Sequence, residues 1–510
     1  MAEPRRAVPT VTRSSQIRGS TLLVSGQLLS LGLNFASQVL IVRALSTYDF
    51  GVWGHAIALV AFWKTFAPLG LDEAIARFVP IYHEEGNAPK LIGALALCLI
   101  VVFATSTLAI GALWLFPDTI AGAVNRGVPF HAIVFVVALL IPIESIDVLI
   151  TNLFACFARP KAIFFRRHVL GPGLRLAVVV SLVLLKADVM FLAIGYLAAS
   201  AAGVLIFAML LVFELRAHGL LTRENLRGMQ MPGRELLKFS IPLMTTDIVS
   251  AVNGSVLVLV LARYSGLEAV ALYRAVLPVA MLNKTVMTGF GTLYVPAASR
   301  LLARGETAAV NSLYWHTASW LAALSFPVFA FTFSCAGPLV SLLYGERYAA
   351  AGVLLTLMSL GYYVNVATGF NGATLKVYGR VQQFTTINLA AAAIAVILAF
   401  VLVPRFGALG AAISSCTAMI THNFMKQVGL RLASGVNVIE RSCMPLYGEI
   451  AAASAALLLM QVVLHPPQVV SFGLAAVAST IVLLRAKQTL KLAETFPEAR
   501  RVPVLGWLVR

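Results

Sequence analysis

Four basic side chains stand in the middle of long apolar segments of this 510-residue chain: Lys64, Lys284, Arg274 and Arg175. Three acidic side chains share that setting: Glu144, Asp147 and Asp247. A charged side chain at the centre of a bilayer costs roughly 2.5 to 3.5 kcal/mol on the insertion scale, so these groups must point towards water, an opposite charge or a ligand. Basic groups held in such a place would attract an anion and donate hydrogen bonds to it.

The acidic side chains have two roles open to them. Glu144 and Asp147 are three residues apart and therefore share one helical face. They either neutralise Lys64 or bind a coupling ion, and Asp247 is a further candidate for coupling. Polar residues at helical spacing predict a wet helix face, with ordinary packing through small and polar residues as the alternative. These residues are Gln27, Ser30 and Asn34, with Ser250 standing 220 positions after Ser30.

Composition and motifs narrow the function classes. The chain has 60% hydrophobic and 12% charged residues with a mean hydropathy of +0.89, whereas soluble domains carry about 25% charged residues. The net charge of +17 comes from short loops, which indicates membrane topology and no nucleic-acid partner. The sequence has no HExxH, GxxxxGK[ST], GxSxG or DxD motif, and its five cysteines are scattered. We therefore expect no enzyme, no metal site and no cofactor beyond a coupling proton or sodium ion.

The elements that must position these residues are membrane-spanning helices, each of which needs about 20 residues. About fourteen spans are predicted: 20–43, 51–79, 91–115, 130–156, 168–186, 189–213, 238–262, 268–297, 312–333, 350–373, 383–403, 407–430, 445–465 and 468–485. At Lys186 to Asp188 and at Val403 to Gly407, only a few residues separate two apolar runs. Basic residues crowd the loops on the side of the N-terminus, which predicts that both termini are cytoplasmic.

The two halves of the chain repeat. A shift of 220 positions places Arg43 on Arg263 and Lys64 on Lys284. The sequence therefore predicts two parallel six-helix repeats in an all-α polytopic protein. The predicted domains are an N-terminal segment 1–19, a lobe 20–213, a linker 214–237, a lobe 238–430, two additional helices 445–485 and an interfacial tail 486–510.

Three short segments carry a family resemblance: 43–51 (RALSTYDFG), 70–78 (GLDEAIARF) and 404–412 (PRFGALGAA). They resemble the Wzx-type polysaccharide flippases of the multidrug/oligosaccharidyl-lipid/polysaccharide (MOP) exporter superfamily, which also contains MurJ and MATE proteins. The similarity covers spans 1–12. Its motifs are turns and packing positions, so they indicate the superfamily better than the substrate.

The resemblance implies two six-helix lobes in a V around a central cavity lined by spans 1, 2, 7 and 8. It implies a flippase that carries undecaprenyl-pyrophosphate-linked oligosaccharide to the outer leaflet of a bacterial inner membrane by alternating access. The lipid bilayer, this substrate, a polysaccharide polymerase and export machinery would be its partners. The rivals are a multidrug antiporter, whose cationic substrates would favour acidic walls, and a polysaccharide polymerase or ligase, which would need a larger outer loop.

Overall fold

A computed structural model describes residues 13–116, 128–157 and 159–490. Within these ranges the side chains are not described at 13–24, 128, 129, 160, 242–250, 252, 253, 289, 292, 293 and 487–490. The described residues form helices joined by short connections, without a strand. A helix satisfies its own backbone hydrogen bonds, which is what an apolar chain in lipid requires. The predicted all-α polytopic class is confirmed.

The chain divides into two compact units. The first unit comprises the described residues of Met1–Asp49 and Ala56–Ala251, and the second those of Phe50–His55 and Val252–Arg510. The division falls inside the predicted span 238–262, and the predicted domain boundaries remain predictions.

The helices up to residue 251 are α1 Arg13–Ala44, α2 Thr47–Phe66, α3 Leu71–Glu84, α4 Ala88–Leu115, α5 Val128–Ala138, α6 Leu140–Cys156, α7 Pro160–Phe164, a π-helix Phe165–Leu170, α8 Gly171–Leu185, α9 Val189–Ala217, α10 Arg223–Arg227 and α11 Gly233–Ala251. The later ones are a π-helix Val252–Val256, α12 Leu257–Met281, a 3₁₀ turn Leu282–Lys284, α13 Thr285–Ala303, α14 Thr307–Ser334, α15 Ala336–Tyr344, a 3₁₀ turn Glu346–Tyr348, α16 Ala351–Ala367, α17 Asn371–Val377, α18 Val381–Ser434, a 3₁₀ turn Arg441–Cys443, α19 Met444–Leu464 and α20 Gln468–Leu490.

Two predicted breaks between neighbouring spans are confirmed. The helix α8 ends before Lys186, which has a left-handed backbone, and the Asp188 side chain accepts a hydrogen bond from the backbone N–H of Phe191 to start α9. Within the 54 residues of α18, Gly407 has φ 57° and ψ −131° and interrupts the helical backbone. Glycine tolerates this backbone because it has no Cβ.

The number of spans is smaller than predicted when helices are counted by length. Eleven helices in the described ranges are long and apolar enough to cross a membrane, or twelve if the bent pair α2 and α3 is one span. This count treats α18 as one helix although Gly407 divides it. Fourteen spans remain a prediction.

Packing inside each unit relies on aromatic and aliphatic contacts, while apolar residues also cover the outside. In the first unit the rings of Phe154 and Phe207 stack with centroids 4.7 Å apart, and in the second those of Phe329 and Tyr363 stack at 4.0 Å. Val469 is 83% exposed. Lipid is as apolar as these side chains, so close packing rather than water exclusion holds the helices together.

Candidate functional site

The first unit gathers five charged side chains from four helical elements. Lys64 stands near the end of α2, Glu144 and Asp147 follow one face of α6, Arg166 lies in the π-helix 165–170, and Arg175 lies in α8. The ion pairs among them join residues from different elements, so the charges meet inside the helical bundle instead of facing lipid. Lys64 and Arg175 point inward as predicted, and both contact the carboxylate of Glu144.

Glu144 accepts hydrogen bonds from two cations. Lys64 Nζ lies 2.7 Å from its Oε2, and Arg175 Nη2 lies 3.0 Å from its Oε1. These side chains keep 35% (Lys64), 22% (Glu144) and 35% (Arg175) of their surface exposed. Of the two roles open to Glu144, pairing with Lys64 is the one seen. The partial exposure leaves all three groups accessible to an incoming anion or to water.

Asp147 pairs with Arg166, a residue that the sequence places in a cytoplasmic loop. The Nη2 atom of Arg166 lies 2.9 Å from Oδ1 of Asp147, and the arginine side chain is only 8% exposed. The π-helix 165–170 widens the backbone by one residue relative to an α-helix, and such bulges are frequent at functional sites. It carries Arg166 into the bundle.

Two glycines make room for the Arg166 guanidinium. A methyl group on Gly203 would lie 3.1 Å from its Cζ, and one on Gly171 would lie 2.6 Å from its Nη1. The guanidinium is thus enclosed by backbone on two sides. Burial of this kind fixes its direction towards Asp147.

The predicted polar face of the first span is divided in the structure. Gln27 and Asn34 are exposed, but Ser30 Oγ lies 3.0 Å from Nδ1 of His168. Part of the face therefore serves contact between helices. The side chains of Asp247 and Ser250 lie outside the described residues.

The second unit holds the other two predicted cations. Lys284 ends the 3₁₀ turn between α12 and α13, half-buried, with its amino group 5.5 Å from the centre of the Tyr362 ring. No described carboxylate lies within 4.0 Å of that amino group. Arg274 is half-buried in α12, and its Cγ would lie 3.2 Å from a methyl group on Gly54.

A cavity of about 610 Å³ opens within the second unit. Its basic lining residues are Lys376, just before the end of α17, and Lys426 in the second half of α18. The other lining residues are Met287, Val295, Ser299, Asn365, Gly369, Phe370, Asn371, Gly372, Ala373, Val377 and Phe384. None of these is acidic.

Sequence reasoning missed three of these basic residues for one reason. Arg166, Lys376 and Lys426 lie near the ends of apolar segments, where they count as loop charges that report topology. Whether such a side chain reaches solvent or the interior depends on the tilt of the helix end or on an extra residue in a helical turn. Neither feature can be read from the sequence. Among the residues described, no group of three His, Cys, Asp or Glu side chains is placed to hold a metal ion.

Comparisons with known proteins give this arrangement its context. Residues 17–302 match the profile of a family described as "Polysaccharide biosynthesis protein", which is more than half of the chain. The chain belongs to this polysaccharide biosynthesis protein family. Residues 242–401 also match the profile described as MatE. Among curated protein sequences, none matches the chain significantly.

Solved structures show the fold of this family member. The lipid II flippase MurJ in an inward closed conformation aligns with a TM-score of 0.69 and 12% identity, covering 92% of this chain and 99% of MurJ. An inward-facing multidrug resistance MATE family transporter of the MOP superfamily gives 0.58 and 16%, covering 80% and 96%. A MOP superfamily transporter from Pyrococcus furiosus gives 0.52 and 16%, covering 82% and 96%. The predicted polysaccharide family is confirmed by the profile match, and the fold is one that these flippases and transporters share.

Proposed function

We propose that this protein moves undecaprenyl-pyrophosphate-linked oligosaccharide repeat units from the cytoplasmic to the outer leaflet by alternating access. Such units are precursors of exopolysaccharide, capsule or O-antigen. The observation that carries the proposal is an excess of positive charge inside the described helices. In the first unit three basic groups share two carboxylates, and in the second Lys284 has no described carboxylate within 4.0 Å. A low-dielectric surround strengthens the attraction of such groups for a pyrophosphate or an acidic sugar.

The family and the fold support this choice. The matched family is one of polysaccharide biosynthesis, and the structure with a TM-score of 0.69 is a flippase of lipid II. The protein would accordingly act without catalysing a covalent step. It would lie in the bacterial inner membrane with both termini cytoplasmic, and a polymerase and export machinery would take up its product.

In the first unit, Glu144 occupies the place that a substrate anion would take. Lys64 and Arg175 donate to its two oxygens, and phosphate oxygens accept the same donors. An incoming phosphate would displace the carboxylate, which then becomes available to a coupling proton or sodium ion. Asp147 and Asp247 are the other candidates for coupling.

The remaining predicted residues would contribute weaker contacts. Arg274 and Lys284 would attract the anionic part of the substrate to the second unit, and the exposed Gln27 and Asn34 side chains would bind glycan hydroxyls. Ser30 and Ser250 belong to the same predicted face, with Ser30 already in contact with His168.

The test is export in a strain that lacks the gene. Such a strain should accumulate the lipid-linked oligosaccharide in the cytoplasmic leaflet, which a leaflet-specific labelling assay would detect. Complementation with Lys64→Ala together with Lys284→Ala should leave export below a tenth of the wild-type level, whereas Lys161→Ala, at an exposed site, should restore it. Full export by the double variant would remove the proposed role of these lysines.

The alternative is a multidrug antiporter, which the match of residues 242–401 to MatE favours. Organic cations would need acidic walls, and the carboxylates of Glu144 and Asp147 are already bound by arginine or lysine. Drug resistance conferred by expression, with export of polysaccharide unaffected by deletion, would establish this alternative instead.

A further inference from the structure

The cavity of the second unit concentrates positive charge, and none of its lining residues is acidic. Lys376 and Lys426 line it, and Lys284 is close enough to Lys426 for the two charges to repel each other. No described carboxylate lies within 4.0 Å of any of the three amino groups. Charges of one sign in a partly enclosed space are stabilised by binding an ion of the opposite sign.

An aromatic ring holds the two lining lysines in place. The amino group of Lys376 lies 4.3 Å from the centre of the Phe384 ring, and that of Lys426 lies 6.0 Å from the same centre. The electrostatic attraction between a cation and a ring face contributes about 0.5 to 2 kcal/mol. It does not require a hydrogen bond, so the three N–H donors of a lysine remain free for other acceptors. Both ammonium groups therefore keep donors for a ligand in the cavity.

Asn365 and Asn371 line the cavity and donate hydrogen bonds to a third asparagine, Asn423. Asn423, which is 1% exposed, accepts a hydrogen bond from Asn365 at 3.0 Å and contacts Asn371 at 3.5 Å. Asn371 in turn accepts a hydrogen bond from the backbone N–H of Gly372 at 2.7 Å. The wall is therefore built from satisfied polar groups in a rigid arrangement. A preformed cavity of about 300 to 1,000 Å³ is typical of a small-molecule site, and 610 Å³ falls within that range.

We propose that this cavity binds a phosphate-bearing group through Lys376 and Lys426. One source of the phosphate is the pyrophosphate of the lipid-linked substrate. For that source the inference deepens the proposed function and rests on it. The head group of an anionic phospholipid is the other source with the same chemistry. Ser299 and Asn365 would add neutral hydrogen bonds.

Binding of inorganic pyrophosphate to the purified full-length protein, measured by isothermal titration calorimetry in a neutral detergent, tests the site. Lys376→Gln with Lys426→Gln should weaken binding roughly tenfold or more, since a hydrogen bond to a charged group is lost at each lysine. Lys426→Arg, which keeps the charge, and Lys161→Gln, which removes an exposed lysine elsewhere, should bind as the wild type does.

Native mass spectrometry distinguishes the two sources of phosphate. The protein is first exchanged into nanodiscs that contain either phosphatidylglycerol or phosphatidylcholine. It is then released in the mass spectrometer, and the masses of the lipids that stay bound are measured. Phosphatidylglycerol retained by the wild type and lost from the double glutamine variant identifies a lipid head group. Pyrophosphate binding without lipid retention identifies the substrate's phosphate. If neither ligand distinguishes the double variant from the wild type, the site does not exist.

A measurement on the wild type alone covers the case in which the double variant fails to fold. Acetylation with a water-soluble reagent, followed by peptide mass spectrometry, should modify Lys376 and Lys426 at least threefold more slowly in saturating pyrophosphate. Lys161 should react at an unchanged rate. Equal labelling of the cavity lysines with and without pyrophosphate and phosphatidylglycerol overturns the proposal. These assays measure binding, so their failure would leave the export test of the proposed function intact.

Discussion

Replacing Glu144 by glutamine tests whether the charge cluster of the first unit is held together by that carboxylate. The substitution keeps the shape of the side chain and leaves Lys64 and Arg175 without their shared counter-ion, at former distances of 2.7 and 3.0 Å. Breaking a fully buried pair costs about 3 to 5 kcal/mol, and breaking an exposed one about 0 to 1 kcal/mol. The exposed fractions of 35%, 22% and 35% place this cluster between those limits, so we expect a loss of about 2 kcal/mol.

The assay is thermal unfolding of the purified protein in detergent, followed by intrinsic fluorescence. A loss of about 2 kcal/mol corresponds to roughly 4 to 8 °C in a folding unit of 150 to 250 residues. The matched control is Glu449→Gln, which breaks a surface pair with Arg485 at 3.4 Å, where the arginine is 66% exposed. That control should unfold at the wild-type temperature within about 1 °C, because exposed pairs contribute little.

A double-mutant cycle separates the pair from general effects of the substitution. If Lys64 and Glu144 depend on each other, Lys64→Met combined with Glu144→Gln should cost less than the sum of the two single changes by about 1 kcal/mol or more. Additive costs, or a Glu144→Gln protein that unfolds at the wild-type temperature, would show that Glu144 is not the counter-ion of the cluster.

Three further changes test neighbouring features by the same unfolding assay. Gly203→Ala should lower the unfolding temperature because its methyl group would lie 3.1 Å from Cζ of Arg166, whereas Gly111→Ala, where nothing lies within 4 Å, should be neutral or stabilising; equal effects would contradict close packing at Gly203. Asp147→Asn should destabilise by about 1 to 3 kcal/mol, since it leaves the buried Arg166 without its carboxylate, and a wild-type unfolding temperature would contradict that pairing. Gly369→Ala should destabilise by about 1 kcal/mol or more because its φ of +68° is strained for residues with a Cβ; an unchanged unfolding temperature would contradict the left-handed backbone there.

Much of the helical architecture follows from the sequence alone. Apolar segments of about 20 residues are local features, and helices satisfy their own hydrogen bonds in lipid, so composition dictates the class. The breaks at Lys186 to Asp188 and at Gly407 are equally local, because each depends on the backbone preferences of a few neighbouring residues. The unusual positions of Lys64, Arg175 and Glu144 inside apolar segments likewise required no tertiary information.

The partners of those charges were decided only by the tertiary structure. Lys64 and Glu144 are 80 positions apart in the chain, and Glu144 and Arg175 are 31 apart. A hydropathy pattern gives the depth of a charge in the membrane but not its direction around the helix axis relative to distant helices. It therefore left Glu144 free to pair or to bind a coupling ion.

The same limit applies to basic residues near helix ends. Arg166 reaches Asp147 because a π-helix adds a residue to the turn, and Lys376 and Lys426 share a cavity because two distant helices bring them beside Phe384. In the sequence all three look like loop charges, since nothing local distinguishes a side chain that reaches water from one that turns inward. Composition thus determined that this protein crosses the membrane many times, while the packing of helices decided which of its described charges are paired inside the bundle.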